Sequence, residues 1–249
     1  MSESITAAVL VIGDEILSGR TQDTNTHYIA RLLGTLGIDM REARVVPDVQ
    51  AEIVAAVNAL RARYTYVFTT GGIGPTHDDI TADAIAAAFG VGIGYHPEAM
   101  AMLAARYQPG EFNEMRKRMA RIPDTATLVK NSASTAPGFQ IGNVFVMAGV
   151  PMVMRAMMED IAPRLKKGVV VTTATVSARI AEGRIAGPLA RIQADNKSVV
   201  IGSYPFYTAD GYGVQLVVRG RDAASVEAAA AEIELAIRAE GSSPERISS

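Results

Sequence analysis

The chain has 249 residues, 49% hydrophobic and 20% charged, which allows one large domain or two smaller ones and excludes a largely disordered protein. Its net charge of −2 offers no global basic field to nucleic acid or to an anionic membrane, and the absence of cysteine removes disulfides, thiolate nucleophiles, Cys-ligated zinc and iron–sulfur clusters together. Met1-Ser2-Glu3-Ser4-Ile5 carries an acid where a signal peptide needs bases, and no apolar run reaches the roughly 18 residues of a transmembrane helix, so a cytoplasmic protein with no membrane partner is expected.

Residues 6–12 form a short apolar run ending at Gly13, the pattern of a strand buried on both faces. Asp23, Thr24 and Asn25 offer caps to a helix on which Tyr28, Ile29, Leu32, Leu33 and Leu36 share one face, and Gly37 is placed to end it. Residues 38–46 read as extended. Pro47-Asp48 then turns the chain, and Asp48 is positioned to cap a helix that turns Ile53, Val57 and Leu60 inward. Residues 66–70 are a β-branched and aromatic run stopped by Gly71-Gly72. Further helices follow Asp79, ending at Phe89, follow Pro97, and cover residues 111–121. Residues 139–141 and 144–147 flank Gly142-Asn143 as a hairpin, and Pro151 opens a Met-rich helix ending near Leu165. Strands separated by helices of this length imply βαβ units and a mostly parallel sheet.

Lys166-Lys167-Gly168 reads as a boundary between domains at 1–167 and 168–249. The second block runs strand (169–176), helix (177–193), strand (199–203), strand (214–218), helix (224–239): a small α+β (βαββα) module with helices on one face and a frayed tail beyond Glu240.

Three loops, each after an expected strand, carry the chemistry, because ligands of open α/β sheets bind beyond the carboxyl ends of the strands. The first is Gly13-Asp14-Glu15-Ile16-Leu17-Ser18-Gly19-Arg20, and the second Val46-Pro47-Asp48. The third is Thr69-Thr70-Gly71-Gly72-Ile73-Gly74-Pro75-Thr76-His77-Asp78-Asp79. Its glycines let the backbone approach a ligand and aim N–H groups at an anion, Thr70 and Thr76 add hydroxyls, and the following helix adds its positive end. This suits a phosphate or pyrophosphate, although no Gly-Lys-Ser/Thr follows, so it is not a P-loop. Asp14, Glu15, Asp48, Asp78 and Asp79 bring negative charge to the same place, which makes sense if a divalent cation bridges them to an anionic ligand. Asp48 and Asp79 could equally be helix caps. A fourth segment, residues 131–139 with Pro137 and Gly138, is long enough to line a cleft, and Gly149-Val150-Pro151 is a further strand-to-helix turn.

These loops resemble the molybdopterin-binding-like superfamily of MogA, MoaB and the central domain of MoeA, and within it the N-terminal domain of CinA-type proteins. The matching stretches are 12–19, Asp23-Thr24-Asn25, Pro47-Asp48, 70–79, and Ala136-Pro137-Gly138-Phe139 with Gly149-Val150-Pro151, spread over residues 6–165. The resemblance implies a three-layer α/β/α domain with its ligand at the strand C-termini. In MogA-like proteins two aspartates handle molybdopterin and its adenylylation, and by motif position they correspond to Asp48 and Asp79. In CinA-type proteins and the related domain of eukaryotic FAD synthase, the same site is associated with metal-dependent hydrolysis of nucleotide diphosphates such as ADP-ribose or FAD.

On this basis Asp48, Asp79 and Asp78 are the expected catalytic residues. Asp14, Glu15, Asp48 and Asp79 are the expected holders of Mg²⁺, Mn²⁺ or Co²⁺. The expected ligand contacts are Gly13, Ser18, Gly19, Thr70, Gly71, Gly72, Gly74, Thr76, Pro137 and Gly138. The alternative expectation is a molybdopterin- or nucleotide-binding protein without turnover. The chain ends before the amidase domain of full-length CinA-type proteins, so that activity is not expected, and Val153 stands where many of them carry an acid.

His77 lies inside the motif and is a candidate contact, whereas His27 is a capping or surface residue. The cluster of Met147, Met152, Met154, Met157 and Met158 suits core or subunit packing. Arg116, Lys117, Arg118 and Arg121 read as a solvated basic face, with contact to an anionic ligand tail or a neighbouring subunit as the alternative. Gly183 and Gly187 are spaced one residue too far for the Gly-x-x-Gly clamp of KH modules, so the C-terminal block is expected to serve packing or dimerisation in a homo-oligomer rather than RNA binding.

Overall fold

A computed structural model describes residues 4–108, 110–209 and 211–247; the N-terminal acid Glu3 lies outside the described residues. The chain divides into two compact units, Met1–Gly168 and Val169–Ser249. Gly168 closes the first by donating its N–H to the Leu36 carbonyl at 2.9 Å, and a Cβ there would meet the Gly37 carbonyl oxygen at 2.2 Å.

In the first unit the elements run β1 (Thr6–Ile12), α1 (Asp14–Leu17), α2 (Asn25–Thr35), β2 (Asp39–Val46), α3 (Gln50–Arg63), β3 (Tyr66–Thr70) and α4 (Thr81–Phe89). They continue with β4 (Ile93–Tyr95), α5 (Pro97–Ala104), α6 (Glu114–Lys117), β5 (Arg121–Pro123), β6 (Thr127–Val129), β7 (Gly138–Ile141), β8 (Val144–Met147) and α7 (Pro151–Ile161). A six-stranded sheet has the order β2-β1-β3-β8-β7-β6; its first four strands are parallel, β7 runs antiparallel to β8, and β6 runs antiparallel to β7.

The alternation of β1 makes the three layers. Ala8, Leu10 and Ile12 pack with Ile53, Val57, Leu60 and Ile85 of α3 and α4. Ala7, Val9 and Val11 pack with Ile29 and Leu33 of α2 and Met154, Met157 and Met158 of α7. A strand covered on both faces must be apolar throughout, and β1 is. The Met cluster is therefore core, except Met152, which is 66% exposed.

Two sequence expectations change here. The helix over 111–121 is broken into the short α6, a 3₁₀ turn at Arg118–Ala120 and β5. Asn113 starts α6 by accepting the Arg116 N–H at 3.0 Å, and Arg121 is already extended, paired with Tyr95. Asp48 does not cap α3, whose first residue is preceded by Val49 with no side-chain cap.

The second unit holds β9 (Thr172–Ala178), α8 (Glu182–Asp195), β10 (Val199–Thr208), β11 (Gly211–Gly220), α9 (Ala223–Ala239) and β12 (Pro244–Ile247). Its antiparallel sheet has the order β10-β11-β9-β12, and alternating residues such as Val176, Leu216 and Val218 pack under Ile185, Val226 and Ile233 of the two helices. Ser177 and Ala178 belong to β9 rather than to the helix. The expected frayed tail is also corrected: β12 pairs with β9 and is pinned by Arg246, which reaches Glu234 and, at 3.3 Å, Glu227. Among the described residues no helix is long and apolar enough to cross a membrane.

Candidate functional site

The strand order β2-β1-β3-β8 places the carboxyl ends of all four parallel strands side by side. β1 has β2 on one side and β3 on the other, the switch at which such sheets open a crevice. Each of these ends runs into one of the polar or glycine-rich loops.

Gly13 leaves β1 and donates its N–H to the Val46 carbonyl at 3.2 Å, which ties the first loop to the end of β2. The Asp14 N–H then donates to Asp48 Oδ2 at 3.0 Å, so the Asp48 carboxylate turns toward the neighbouring loop instead of its own helix. The Glu15 carboxylate folds back over Gly13, where a Cβ would come within 2.6 Å of it. Burial, opposed by the Asp14 N–H and reinforced by the charges of Asp14, Glu15 and Asp78, holds the Asp48 carboxyl above the usual aspartate range.

The glycine turn after β3 is built by close packing. Gly71 has φ +107° and a Cβ there would meet the Ile12 carbonyl oxygen at 2.1 Å; Gly72 has φ +67° and a Cβ would meet Thr81 Oγ1 at 2.1 Å. Thr81 holds the turn, donating its hydroxyl to the Gly71 carbonyl and its N–H to the Gly72 carbonyl, both at 3.0 Å. The Gly71 N–H goes to the Met147 carbonyl of β8 at 3.1 Å, whereas the N–H groups of Gly72, Ile73 and Gly74 meet no acceptor among the described residues. Asp79 Oδ2 accepts both the N–H (2.7 Å) and the hydroxyl of Thr76. It therefore closes its own loop rather than capping α4, which has no side-chain cap.

A cleft of about 680 Å³ opens at this turn. Glu15, Gly71 to Pro75 and Asp79 line one part of its wall, and Ser134, Ala136 and the 148–151 turn with Val153 line another. A smaller cavity of about 20 Å³ shares Gly72, Ile73, Gly74 and Asp79 with it and reaches Pro137. Asn25, capped by Asp23 through its N–H at 2.9 Å, fixes the 148–151 turn by donating Nδ2 to the Gly149 carbonyl at 2.7 Å.

Not every expected residue reaches the cleft. Thr70 is 1% exposed at the end of β3 and is not part of its lining; the threonine that organises the turn is Thr81, which sequence reasoning passed over. Gly138 is buried in β7, where a Cβ would meet the Val146 carbonyl oxygen at 2.2 Å. Ser18 donates to the Glu15 carbonyl at 3.3 Å, and Gly13, Asp14, Gly19, Asp48, Thr76 and Asp78 stand outside the lining. The His77 side chain is 95% exposed. Among the described residues no three His, Asp or Glu side chains stand close enough together to hold a metal ion by themselves.

The family model described as "Probable molybdopterin binding domain" matches residues 8–167. The chain belongs to the molybdopterin-binding-domain family. A second model, "FAD synthase, middle domain", matches residues 170–245. A CinA-like protein from Syntrophotalea carbinolica is 36% identical over 169 residues, 65% of this chain and 41% of that protein. A probable FAD synthase from Caenorhabditis elegans is 31% identical over 255 residues, 92% of this chain and 49% of that protein. The chain thus spans less than half the length of each of these two. The crystal structure of CinA from Thermoplasma acidophilum, 32% identical, matches with a TM-score of 0.61 over 65% of this chain and 98% of that one.

In this molybdopterin-binding-type domain the sequence reading missed a whole section of wall. Arg106, Tyr107 and Met119 line the large cleft, and Arg118 and Arg121 line the small cavity. No motif marks Arg106, Tyr107 or Met119, and the only sequence signal at Arg118 and Arg121 is the basic run 116–121. The basic run is also no solvated face: Arg121 makes a two-pronged pair with Asp83 at 2.9 and 2.7 Å, and Arg116 lies over the Tyr107 ring at 4.3 Å.

Proposed function

We propose that the first unit hydrolyses the diphosphate linkage of a nucleotide, with ADP-ribose and FAD as the candidate substrates. The observation that carries this reading is a cleft in which unpartnered backbone N–H groups of Gly72 to Gly74 stand beside the carboxylates of Glu15 and Asp79. Its volume is in the range of small-molecule sites. Backbone N–H groups held rigidly by Thr81 and Gly71 are suited to the charge that develops on a phosphoryl oxygen.

The carboxylates do not form an all-protein metal cage. Magnesium-like ions are commonly held by one or two carboxylates together with substrate phosphates, and Glu15 with Asp79 meets that requirement once a diphosphate supplies the remaining oxygens. Such a cation would polarise the phosphoryl group and acidify a bound water. Thr76 engages only Oδ2 of Asp79, which leaves Oδ1 to face ligand, cation or water. The likeness of residues across both units to a FAD synthase, over 92% of the chain, supports a nucleotide ligand. The description of the family model covering 8–167 favours a second reading, molybdopterin binding without turnover.

The test is product analysis with ADP-ribose, FAD, NAD and ATP, each with Mg²⁺, Mn²⁺, Co²⁺ or EDTA. AMP released only with metal, and lost by at least about a hundredfold in Asp79→Asn with an unchanged fold, is the expected result. No product from any of the four, with a fluorescent pterin copurifying, would replace hydrolysis by pterin binding.

A further inference from the structure

The residues so far assigned to the cleft carry the wrong charge for its ligand. Glu15 and Asp79 line it, Asp14, Asp48 and Asp78 surround it, and backbone N–H groups are only partial charges. The one cation among the motif residues, Arg20, lines neither cavity. A diphosphate needs a full positive charge somewhere on the wall.

Three arginines line the two cavities. Arg121 is neutralised by its two-pronged pair with Asp83. The other two are not. The Arg106 side chain faces the large cleft and makes no hydrogen bond or ion pair among the described residues. Arg118 faces the small cavity; its Nε is buried with no acceptor, and its terminal nitrogen reaches only the Asp79 carbonyl, at 3.5 Å. A guanidinium carries five donors, and one with a buried donor left unpaired and no ion pair is a group waiting for an acceptor. The small cavity, at about 20 Å³, has room for about one water-sized group between Arg118 and Asp79.

We infer that Arg106 and Arg118 are the residues that read the phosphates of the ligand, Arg106 from the large cleft and Arg118 by meeting a single phosphoryl oxygen at the small cavity beside the glycine turn. The stretches that bear them, 97–108 and 110–121, follow α4 and precede β6 in the chain and act as the specificity element of the site. This rests on the cleft being a diphosphate site, but not on turnover. A ligand seated here meets the carboxylates of Glu15 and Asp79 with any accompanying cation, and the guanidinium groups of Arg106 and Arg118, an arrangement that rejects a neutral nucleoside and a ligand lacking phosphate.

The test is calorimetric titration of inorganic pyrophosphate into the full chain, with and without Mg²⁺. Arg106→Met and Arg118→Met are each expected to weaken binding by about tenfold, with Arg118→Lys intermediate because it keeps the charge and loses the fork. Arg41→Met, which removes a cation paired with Asp39 away from the cleft, is expected to bind as wild type. Arg106 is exposed, so its variant keeps the test valid if Arg118→Met folds poorly. No pyrophosphate binding by the wild type, or equal affinity in the arginine variants, overturns the assignment. Arginine-dependent binding with no nucleotide cleaved upholds it and removes hydrolysis; cleavage with arginine-independent affinity does the reverse.

Discussion

Asp48 Oδ2 accepts the backbone N–H of Asp14 at 3.0 Å, across 34 residues of sequence. That bond joins the ends of β1 and β2 and holds one carboxylate where three others repel it, in a place already partly closed to water. The Asp48 carboxyl therefore titrates higher in the folded chain than in the unfolded one, where about 4 is usual. Between those two values the folded state binds more protons, so stability falls as pH rises through the interval and is then constant above it. Asp48→Asn keeps an oxygen for the Asp14 N–H and removes the charge. Its Tm is expected to exceed that of the wild type by about 1–2 °C at pH 7 and to match it near pH 3, in thermal melts followed by circular dichroism. A lower Tm at pH 7 would show that the carboxylate charge stabilises this corner.

Asn25 joins α2 to the turn after β8 through its 2.7 Å bond to the Gly149 carbonyl, and it is 6% exposed. Removing the amide leaves that carbonyl without its donor and opens space beneath the cleft wall. Asn25→Ala is expected to cost about 1–3 kcal/mol in urea unfolding and to weaken pyrophosphate binding by shifting Val150 and Pro151. Asn25→Asp, which puts an acceptor opposite an acceptor, is expected to cost at least as much. Stability equal to wild type in both would mean the bond holds nothing in place.

Two glycines with positive φ separate packing from simple backbone preference. Gly71 combines φ +107° with the Ile12 carbonyl at 2.1 Å from where a Cβ would sit; Gly19 has φ +72° and nothing within 4 Å. Gly19→Ala is expected to cost about 1 kcal/mol, the strain of its backbone alone. Gly71→Ala is expected to cost at least about 3 kcal/mol, because β1 and β3 must separate to admit the methyl group. Equal unfolding midpoints for the two would refute the packing account.

The architecture of the first unit and the addresses of its site follow from residue pattern alone. An all-apolar β1 and helices with one apolar face permit little but a parallel sheet between two helical layers, and such a sheet puts its loops at the strand carboxyl ends. Glu15, Gly71, Gly72 and Gly74 were legible for that reason, since each lies within four residues of the end of β1 or β3, and Asp79 lies in the same loop just before α4. Tertiary structure alone decided the partners. Asp48 reads as a helix cap in its own segment, and only the neighbouring strand offers it the Asp14 N–H instead. Thr70 and Thr81 look equally available in sequence, and the packing of Gly72 against Thr81 gives the organising role to the second. Arg106 carries no local signal, and the basic run that holds Arg118 does not say which way it faces, because a surface arginine and a cleft arginine are the same residue until tertiary packing sets one beside the glycine turn. Local pattern sets where a strand or helix begins and ends; which side chains then meet depends on contacts between segments tens of residues apart, and no periodicity encodes those.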